Sequence, residues 1–364
     1  MNLGNQETLV RIGFWIGWRI ARFTSHLWRQ LFRIIQHDTN LVYDNRSYKN
    51  RLLLISSGTD TSGEKIYQDL IRNNSSKTIQ LPKERIKSIH EVVIDLQSAV
   101  MYDSSKKMVQ GYSSWPNEYL KTNRLPSAAF PRFIIPRVRD SEKVVAFPST
   151  SYYHFLIEDL PNFLHLRESL SGFLLVARKR IPKYAKDVAD ILELELKQVD
   201  EMIKVEESIY VKRNLISGWP DPIDLQKLKI EFEELLFSGK PHLKVYVSRR
   251  KSSRSPKFEK ELEGILEHNG WIVVNAQDLD FKAQVSIFSR SRILMGMHGA
   301  GLANAVWLRS GAKVIELRFK NQSLALQRIS KIQAYHHIMH ELNPKTSDKE
   351  NLDSVVNLLQ ETRT

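Results

Sequence analysis

Residues Ile293–Val306, with the sequence ILMGMHGAGLANAV, give the clearest indication of the fold. Ile293–Met297 is a short apolar run typical of a buried strand, and Ala300–Leu308 is apolar and compatible with a helix. The bend between them contains His298, Gly299 and Gly301. Glycines at such a turn let backbone N–H groups approach a ligand, and the N-terminus of a helix favours an anion. The stretch therefore predicts a turn that binds a phosphate or a diphosphate.

The sequence around this turn alternates helices and strands, which predicts an α/β fold. In the C-terminal part, strands are predicted at Leu243–Ser248, Trp271–Val274, Ile293–Met297, Lys313–Leu317 and Tyr335–Met339, with helices between them. Strict alternation favours a parallel sheet with right-handed crossovers. The segment Gly218–Pro222 interrupts the pattern. We therefore predict a helix at 1–37, an N-terminal α/β domain at 38–217, a C-terminal α/β domain at 223–345 and a last helix at 346–364.

Composition limits the classes of protein that the chain can represent. Its 364 residues suffice for two domains, and 42% of them are hydrophobic, so a packed core is feasible. Cysteine is absent, which excludes disulfides, thiolate catalysis and cysteine-bound zinc. The net charge of +13 favours anionic partners such as nucleic acid, an anionic membrane surface or a phosphorylated substrate. No uncharged apolar run reaches the roughly 18 residues that predict a spanning helix.

Residues 8–37 form a separate basic and aromatic segment. They contain five arginines, no acidic residue and three of the seven tryptophans. From Ile16 onward the cations fall on one face of a helical wheel and the large apolar residues on the other. This pattern is typical of a helix that lies in a membrane interface. The alternatives are a helix packed on the adjacent domain and an RNA-binding arm; we predict the membrane helix and no nucleic acid partner.

Three strand ends of the C-terminal part supply candidate ligand-binding residues, because ligands bind beyond the carboxyl ends of parallel strands. The candidate donor-binding residues are Arg249, Arg250, Arg254, His298, Gly299, Ala300, Gly301, Asn304 and Glu316. Guanidinium groups and a helix N-terminus hold a diphosphate without a metal, and Glu316 is a candidate acceptor for a ribose diol. Each residue alone also fits an ordinary structural role. Their convergence on one sheet edge predicts a site for a diphosphate joined to a group with hydroxyls, such as a nucleotide-sugar.

The N-terminal part contains one compact group of acid and base side chains, His154, Glu158 and Asp159. His154 and Glu158 are spaced i, i+4 and share a helix face. Either residue could take a proton from an acceptor hydroxyl. The alternative is the polar face of a helix whose aromatic residues are core. No third ligand is evident nearby, so no metal site is predicted.

Several motifs resemble those of glycosyltransferase family 61. The match is strongest at Met297–Asn304 (MHGAGLAN), followed by Gly311–Leu317 (GAKVIEL). Val245–Arg250 with Arg254 resembles the family's strand and arginine segment, and Phe281–Phe288 resembles the helix that precedes the Met297–Asn304 motif. Tyr152–Pro161 resembles the family's aromatic-His…Glu…Pro motif. Two positions depart from the family pattern. Phe258 precedes Glu259 where an Asn is frequent, and Ala303 stands where a Thr is common.

The resemblance implies a GT-B architecture, with two Rossmann-like domains that face a cleft. It also implies inversion at the anomeric carbon without a bound catalytic metal or other cofactor. We therefore expect transfer of a sugar from a nucleotide-sugar to a hydroxyl of a glycan acceptor, with His154 preferred over Glu158 as base. We further expect a lipid-linked acceptor in capsule, exopolysaccharide or O-antigen synthesis, at the cytoplasmic face of the cell membrane. The alternatives are a non-catalytic binding protein with a degenerate GT-B fold and another GT-B-like transferase, such as a ketal pyruvyltransferase.

The role assigned to residues 1–37 gives a first prediction. Deleting this segment should release the protein from membranes, because it removes the basic and apolar faces of the interfacial helix. Some activity on a soluble acceptor should remain. Sedimentation of full-length and shortened protein with anionic vesicles measures the effect, and a shortened protein that still sediments would contradict the prediction.

Overall fold

Two β-sheets with helices packed against them organise the protein, which is a mixed α/β structure. A computed structural model describes residues 85–96, 99–104, 109, 112, 143–200, 202–213, 217–320 and 322–361. The predicted helix at 1–37 lies outside these residues. So do Arg51–Ile55, where the apolar sequence predicts a strand, and residues 113–142, where four prolines predict a loop. Among the described residues, none of the helices combines the length and the apolar character needed to cross a membrane.

The first sheet has six strands and mixed direction. Its strands are β1 (Ile86–Asp95), β2 (Val100–Tyr102), β3 (Lys143–Ala146), β4 (Leu174–Arg178), β5 (Lys197–Val199) and β6 (Met202–Val211), in the order β2-β1-β6-β3-β4-β5. The pairs β6–β3, β3–β4 and β4–β5 are parallel, whereas β1 is antiparallel to β2 and β6. The accompanying helices are α1 (Tyr152–His154), α2 (Leu160–Leu166), α3 (Lys183–Ile191) and α4 (Pro222–Glu231). A π-helix, Phe155–Asp159, joins α1 to α2.

The second sheet has five strands, all parallel. They are β7 (Leu243–Val247), β8 (Ile272–Val274), β9 (Ser291–Met297), β10 (Lys313–Phe319) and β11 (His336–Leu342), in the order β11-β10-β9-β7-β8. The helices are α5 (Glu259–His268), α6 (Phe281–Ser289), α7 (Ala325–Ile332) and α8 (Asp348–Glu361), with a 3-10 helix at Ala300–Trp307. The predicted alternation and the predicted parallel pairing of this region are therefore confirmed.

Each sheet has a point at which the direction of strand addition reverses. From β7 the chain adds β8 on one side and then places β9 on the other. From β3 it adds β4 and β5 on one side and then places β6 on the other. A crevice forms beyond the carboxyl ends of the strands at such a reversal, and ligands bind there. The fold therefore offers one crevice at β7/β9 and one at β3/β6.

A shared apolar core joins the helices of both sheets. Phe232 follows α4, Phe281 begins α6 and Trp307 ends the 3-10 helix. Their rings meet edge to face at centroid distances of 5.1, 5.7 and 6.0 Å, and all three are almost fully buried. Aromatic pairs in this geometry add stability beyond that from their buried area. The two sheets are consequently held by one continuous core.

The structure differs from the sequence-based expectation at two elements near the glycine turn. The predicted helix Ala300–Leu308 is a 3-10 helix, Ala300–Trp307. β10 continues to Phe319, so Glu316 lies inside the strand and pairs with Gly296 and Met339. A carboxylate is rarely found inside a buried strand unless it has partners, and these partners are distant in sequence. The apolar pattern alone therefore predicted a strand that ended too early.

Candidate active site

The glycine turn lies at the crevice between β7 and β9. The N–H of His298 donates to the carbonyl of Leu317 at 2.7 Å, which fixes the end of β9 against β10. A Cβ on Gly301 would lie 2.9 Å from Cγ1 of Val247, and one on Gly299 would lie 3.1 Å from Cζ of Arg249. A side chain at Gly301 would displace Val247, and one at Gly299 would displace the guanidinium of Arg249, because β7 and its arginine approach the turn closely. The 3-10 helix begins at Ala300, and the first N–H groups of a helix have no acceptor within it.

Arg249 lies across the same crevice. Its Nη1 donates to the carbonyl oxygen of His298 at 2.5 Å, so the guanidinium is held against the turn. Burial and the neighbouring charge of Arg254 lower the pKa of Arg249, although an arginine stays charged at neutral pH. A second guanidinium beside Arg249 favours binding of an anion between the two groups. Arg254 is exposed, so it is accessible to a ligand from solvent.

A buried carboxylate shapes the arginine segment. Glu259, at the start of α5, accepts hydrogen bonds from the backbone N–H of Arg249 at 2.6 Å, the hydroxyl of Tyr246 at 3.0 Å and the hydroxyl of Ser255 at 2.6 Å. These bonds close the loop that follows β7. The exposed Arg250 forms an ion pair with the buried Glu263 at 3.2 Å. Arg249, Arg250 and Arg254 therefore occur on one loop, and Arg249 alone contacts the glycine turn.

Glu316 and His298 form a buried pair at the turn. Nδ1 of His298 lies 2.5 Å from Oε1 of Glu316, whose side chain has no exposed surface, whereas 21% of the His298 side chain is exposed. His337 on β11 and Arg318 on β10 face the other carboxylate oxygen at 3.3 and 3.8 Å. Although burial opposes ionisation, the hydrogen bond from His298 and the close imidazole of His337 lower the pKa of Glu316 to about 2. Glu316 is therefore a buried anion beneath an accessible imidazole.

Asn304 lies at the junction of the two sheets' helices. It is fully buried, and its Oδ1 accepts from the hydroxyl of Tyr152 at 2.7 Å while its Nδ2 donates to Oε1 of Gln284 at 2.9 Å. Nδ2 also donates to the carbonyl of Gly301 at 3.1 Å. This network links α1, α6 and the glycine turn. The Tyr152–Asn304 hydrogen bond thus joins α1, which contains His154, to the 3-10 helix that follows the glycine turn.

His154 and Glu158 contact each other, as their helical spacing suggested. Nδ1 of His154 lies 2.8 Å from Oε2 of Glu158, and Oε1 of Glu158 accepts the backbone N–H of Gly218 at 2.8 Å. Burial opposes the charge of Glu158, but the hydrogen bond from His154 and the charges of His154 and Arg213 lower its pKa overall. Glu158 is consequently ionised and holds the imidazole through Nδ1. This leaves Nε2 as the nitrogen on the opposite side of the ring.

Asp159 is adjacent to Glu158 and faces different partners. It pairs with Nη2 of Arg213 and accepts a hydrogen bond from the hydroxyl of Thr150. Arg213 also donates to the carbonyl of Glu158 at 2.5 Å. Burial raises the pKa of Asp159 against the effect of the Arg213 charge. Thr150 follows β3 and Arg213 follows β6, so this cluster occupies the crevice at β3/β6.

Several residues of the site could not be found from motif spacing. The π-helix Phe155–Asp159 buries two consecutive carboxylates, and such segments occur frequently at functional sites. Arg213, Glu259 and His337 act through contacts that are distant in sequence. The sequence signal for Glu259 was its place after the arginine segment, where it matches the family pattern although Phe258 replaces the preceding Asn. In the part of the chain that the structure describes, no group of three or more ligating side chains is arranged to hold a metal ion.

Comparison with known families relates the segment that carries most of this site to a class of proteins, the glycosyltransferases. Residues 152–315 match the family model described as Glycosyltransferase 61, so the resemblance indicated by the sequence motifs is confirmed over this segment. The match extends from α1 into β10 and contains His154, Glu158, Arg249 and His298. A search of curated proteins found no match to the chain. The family implies glycosyltransferase activity, whereas the bacterial capsular branch stays a prediction.

The Asp159–Arg213 pair gives a prediction about stability. Replacing Arg213 with Met should lower the free energy of unfolding by about 3–5 kcal/mol, because it leaves a buried carboxylate without its cation. The double variant Arg213→Met/Asp159→Asn should recover part of this loss, since the unpaired charge is then removed. Urea unfolding of the three proteins measures both effects, and a double variant less stable than Arg213→Met would contradict the account.

Proposed function

We propose that the protein is an inverting, metal-independent glycosyltransferase with a GT-B arrangement, in which the second sheet binds a nucleotide-sugar and the first sheet binds the acceptor. The observation that carries the proposal is the contact of Arg249 with the glycine turn at the β7/β9 crevice, within the segment that matches family 61. This crevice combines cations with backbone N–H groups, which is the chemistry that a diphosphate requires.

The donor diphosphate would lie over the glycine turn. The N–H groups at the start of the 3-10 helix and Nε2 of His298 would donate to its oxygens, and Arg249 and Arg254 would supply positive charge. Arg250, which is paired with Glu263 but exposed, would lie at the edge of the site. These groups stabilise the negative charge that develops on the diphosphate as it leaves, which is how fixed dipoles and charges accelerate a reaction.

The acceptor would react on the side of His154. The acceptor oxygen forms a bond to the anomeric carbon from the face opposite the diphosphate, and the bond from that carbon to the diphosphate oxygen breaks. The electron pair leaves with the nucleoside diphosphate, and the acceptor proton passes to Nε2 of His154. Attack from the opposite face inverts the anomeric configuration. Glu158 stabilises the imidazolium through Nδ1, as a carboxylate does in hydrolase triads.

The contacts of the two carboxylates favour His154 over Glu158 as the base. Both oxygens of Glu158 already accept hydrogen bonds, from His154 and from Gly218. Asp159 is held by Arg213 and Thr150, so it would orient the π-helix rather than take the proton. The group therefore resembles a base with an orienting carboxylate, in which proton transfer depends on Nε2.

The acceptor class and the location of the enzyme are proposed from the sequence. The net charge of +13 and the basic aromatic segment 8–37 support attachment to an anionic membrane at its cytoplasmic face. A lipid-linked glycan at that surface would be the acceptor. The enzyme would thereby take part in the assembly of a surface polysaccharide, such as capsule, exopolysaccharide or O-antigen.

A screen of UDP-, GDP- and CMP-sugars, read by released nucleotide and by transfer to glycans, tests the donor site. With the donor found in this way, His298→Asn and Arg254→Ala should each lose most of the transfer, because they remove diphosphate contacts. Asn retains a donor to Glu316 but lacks Nε2, so folding should be preserved. The exposed Lys257 provides the matched control, since Lys257→Ala removes a cation that is near in sequence and has no assigned ligand contact. Activity at the wild-type level in both site variants would contradict the donor site.

A second substitution separates the base from the donor site. His154→Asn retains a hydrogen bond to Glu158 but has no equivalent of Nε2, so transfer should fall by about 100-fold or more. The affinity for the nucleoside diphosphate should not change, because His154 is assigned to the acceptor. Calorimetric titration with UDP or GDP and an assay of transfer measure the two effects. Equal loss of binding and transfer would place His154 in the donor site instead.

A further inference from the structure

We infer that Glu316 does not contact the nucleotide but positions His298 for the diphosphate, and that His337 supports Glu316 from the adjacent strand. This inference rests on the proposed donor site and assigns a role to two residues of it. Glu316 would thus be a positioning residue rather than the acceptor for a ribose diol that its place near the strand end suggested.

Burial makes direct contact between Glu316 and a ligand unsuitable. The side chain has no exposed surface and lies in the interior of β10, between Gly296 of β9 and Met339 of β11. Its Oε1 lies 2.5 Å from Nδ1 of His298. A ribose hydroxyl would have to replace His298 to reach this oxygen. The accessible atom of the pair is therefore on the imidazole.

The second oxygen of Glu316 is also directed at protein groups. Nε2 of His337 lies 3.3 Å and Nη1 of Arg318 lies 3.8 Å from Oε2. By hydrogen-bond geometry, the two ring nitrogens of His337 and Oε2 of Glu316 have no partner among the described residues, so the 3.3 Å contact is a charge contact and not a formed hydrogen bond. The buried imidazole of His337 therefore has Glu316 as its polar neighbour. Removal of His337 would leave Oε2 with the more distant Arg318 alone.

The charge of Glu316 decides how His298 can bind a diphosphate. A neutral imidazole that donates through Nδ1 presents a lone pair at Nε2, which repels phosphate oxygens. An imidazolium donates through both nitrogens, and a carboxylate at Nδ1 stabilises that form. The groups that face the pair are His337, Arg318 and Arg249, so Glu316 is the anionic member of this set. Glu316 would therefore make Nε2 of His298 a donor to the diphosphate.

Binding of inorganic pyrophosphate and of UDP and GDP separates positioning from ribose contact. If Glu316 acts through His298, Glu316→Gln should lower the affinity for pyrophosphate and the affinity for the nucleoside diphosphate by the same factor, on the order of tenfold. As the pH is raised, this variant should lose its affinity for pyrophosphate at a lower pH than the wild-type protein does, because a neutral amide does not stabilise the imidazolium of His298. A substitution with a merely structural effect would not shift the pH dependence. Glu341→Gln removes an exposed carboxylate on β11 and is the matched control, with unchanged affinity expected.

His337→Gln is the second variant and keeps the inference testable if Glu316→Gln does not fold, as judged by its thermal midpoint. This variant should lower the affinity for pyrophosphate and for the nucleoside diphosphate by one common factor, smaller than that of Glu316→Gln. A loss of affinity for the nucleoside diphosphate without a loss of affinity for pyrophosphate would overturn the inference, because it would show that Glu316 contacts the nucleoside. Unchanged affinities in both variants would also overturn it while leaving the donor site intact. A wild-type protein that binds none of the three ligands would overturn the proposed function itself and this inference with it.

Discussion

The candidate site depends on the requirement that a buried carboxylate be matched by hydrogen-bond donors or positive charge. Three glutamates meet this requirement, and each fixes a different part of the site. Glu259 holds the backbone of the arginine loop, Glu316 holds His298, and Glu158 holds His154. Removing a carboxylate from water costs several kcal/mol unless partners replace the water, so these partners are confined to one geometry. The positions of the arginine loop, His298 and His154 are therefore set by carboxylates that are themselves buried.

The two sheets place these carboxylates at two crevices that share one core. The crevice at β7/β9 carries the glycine turn and Arg249, while the crevice at β3/β6 carries Thr150 and Arg213. The Tyr152–Asn304 bond and the aromatic cluster around Trp307 join the elements that bear them. A transferase needs a donor phosphate and an acceptor proton to be handled at fixed separation. The shared core holds the elements that bear the two crevices together.

The sequence predicted the features that depend on local pattern. The parallel α/β region, the glycine turn and the helical spacing of His154 and Glu158 all follow from residues close together in the chain, and the family motifs are equally local. What it did not predict depends on distant contacts. Glu316 was expected at the end of a strand, yet β10 continues to Phe319, and the buried Glu316 faces His298 and His337. The π-helix and the role of Arg213 are likewise set by packing between elements. The boundary at 218–222 and the roles of the site residues stay predictions.

The central claim is that the β7/β9 crevice is a donor diphosphate site, and the most direct test is the crystal structure of the protein with a bound nucleoside diphosphate. The account predicts that the two phosphates lie over the Gly299–Gly301 turn, within hydrogen-bond distance of its N–H groups and of Nε2 of His298, with Arg249 or Arg254 in contact. Glu316 should remain bonded to His298 and should not touch the ribose. A diphosphate bound at another place, or a ribose bonded to Glu316, would contradict the account.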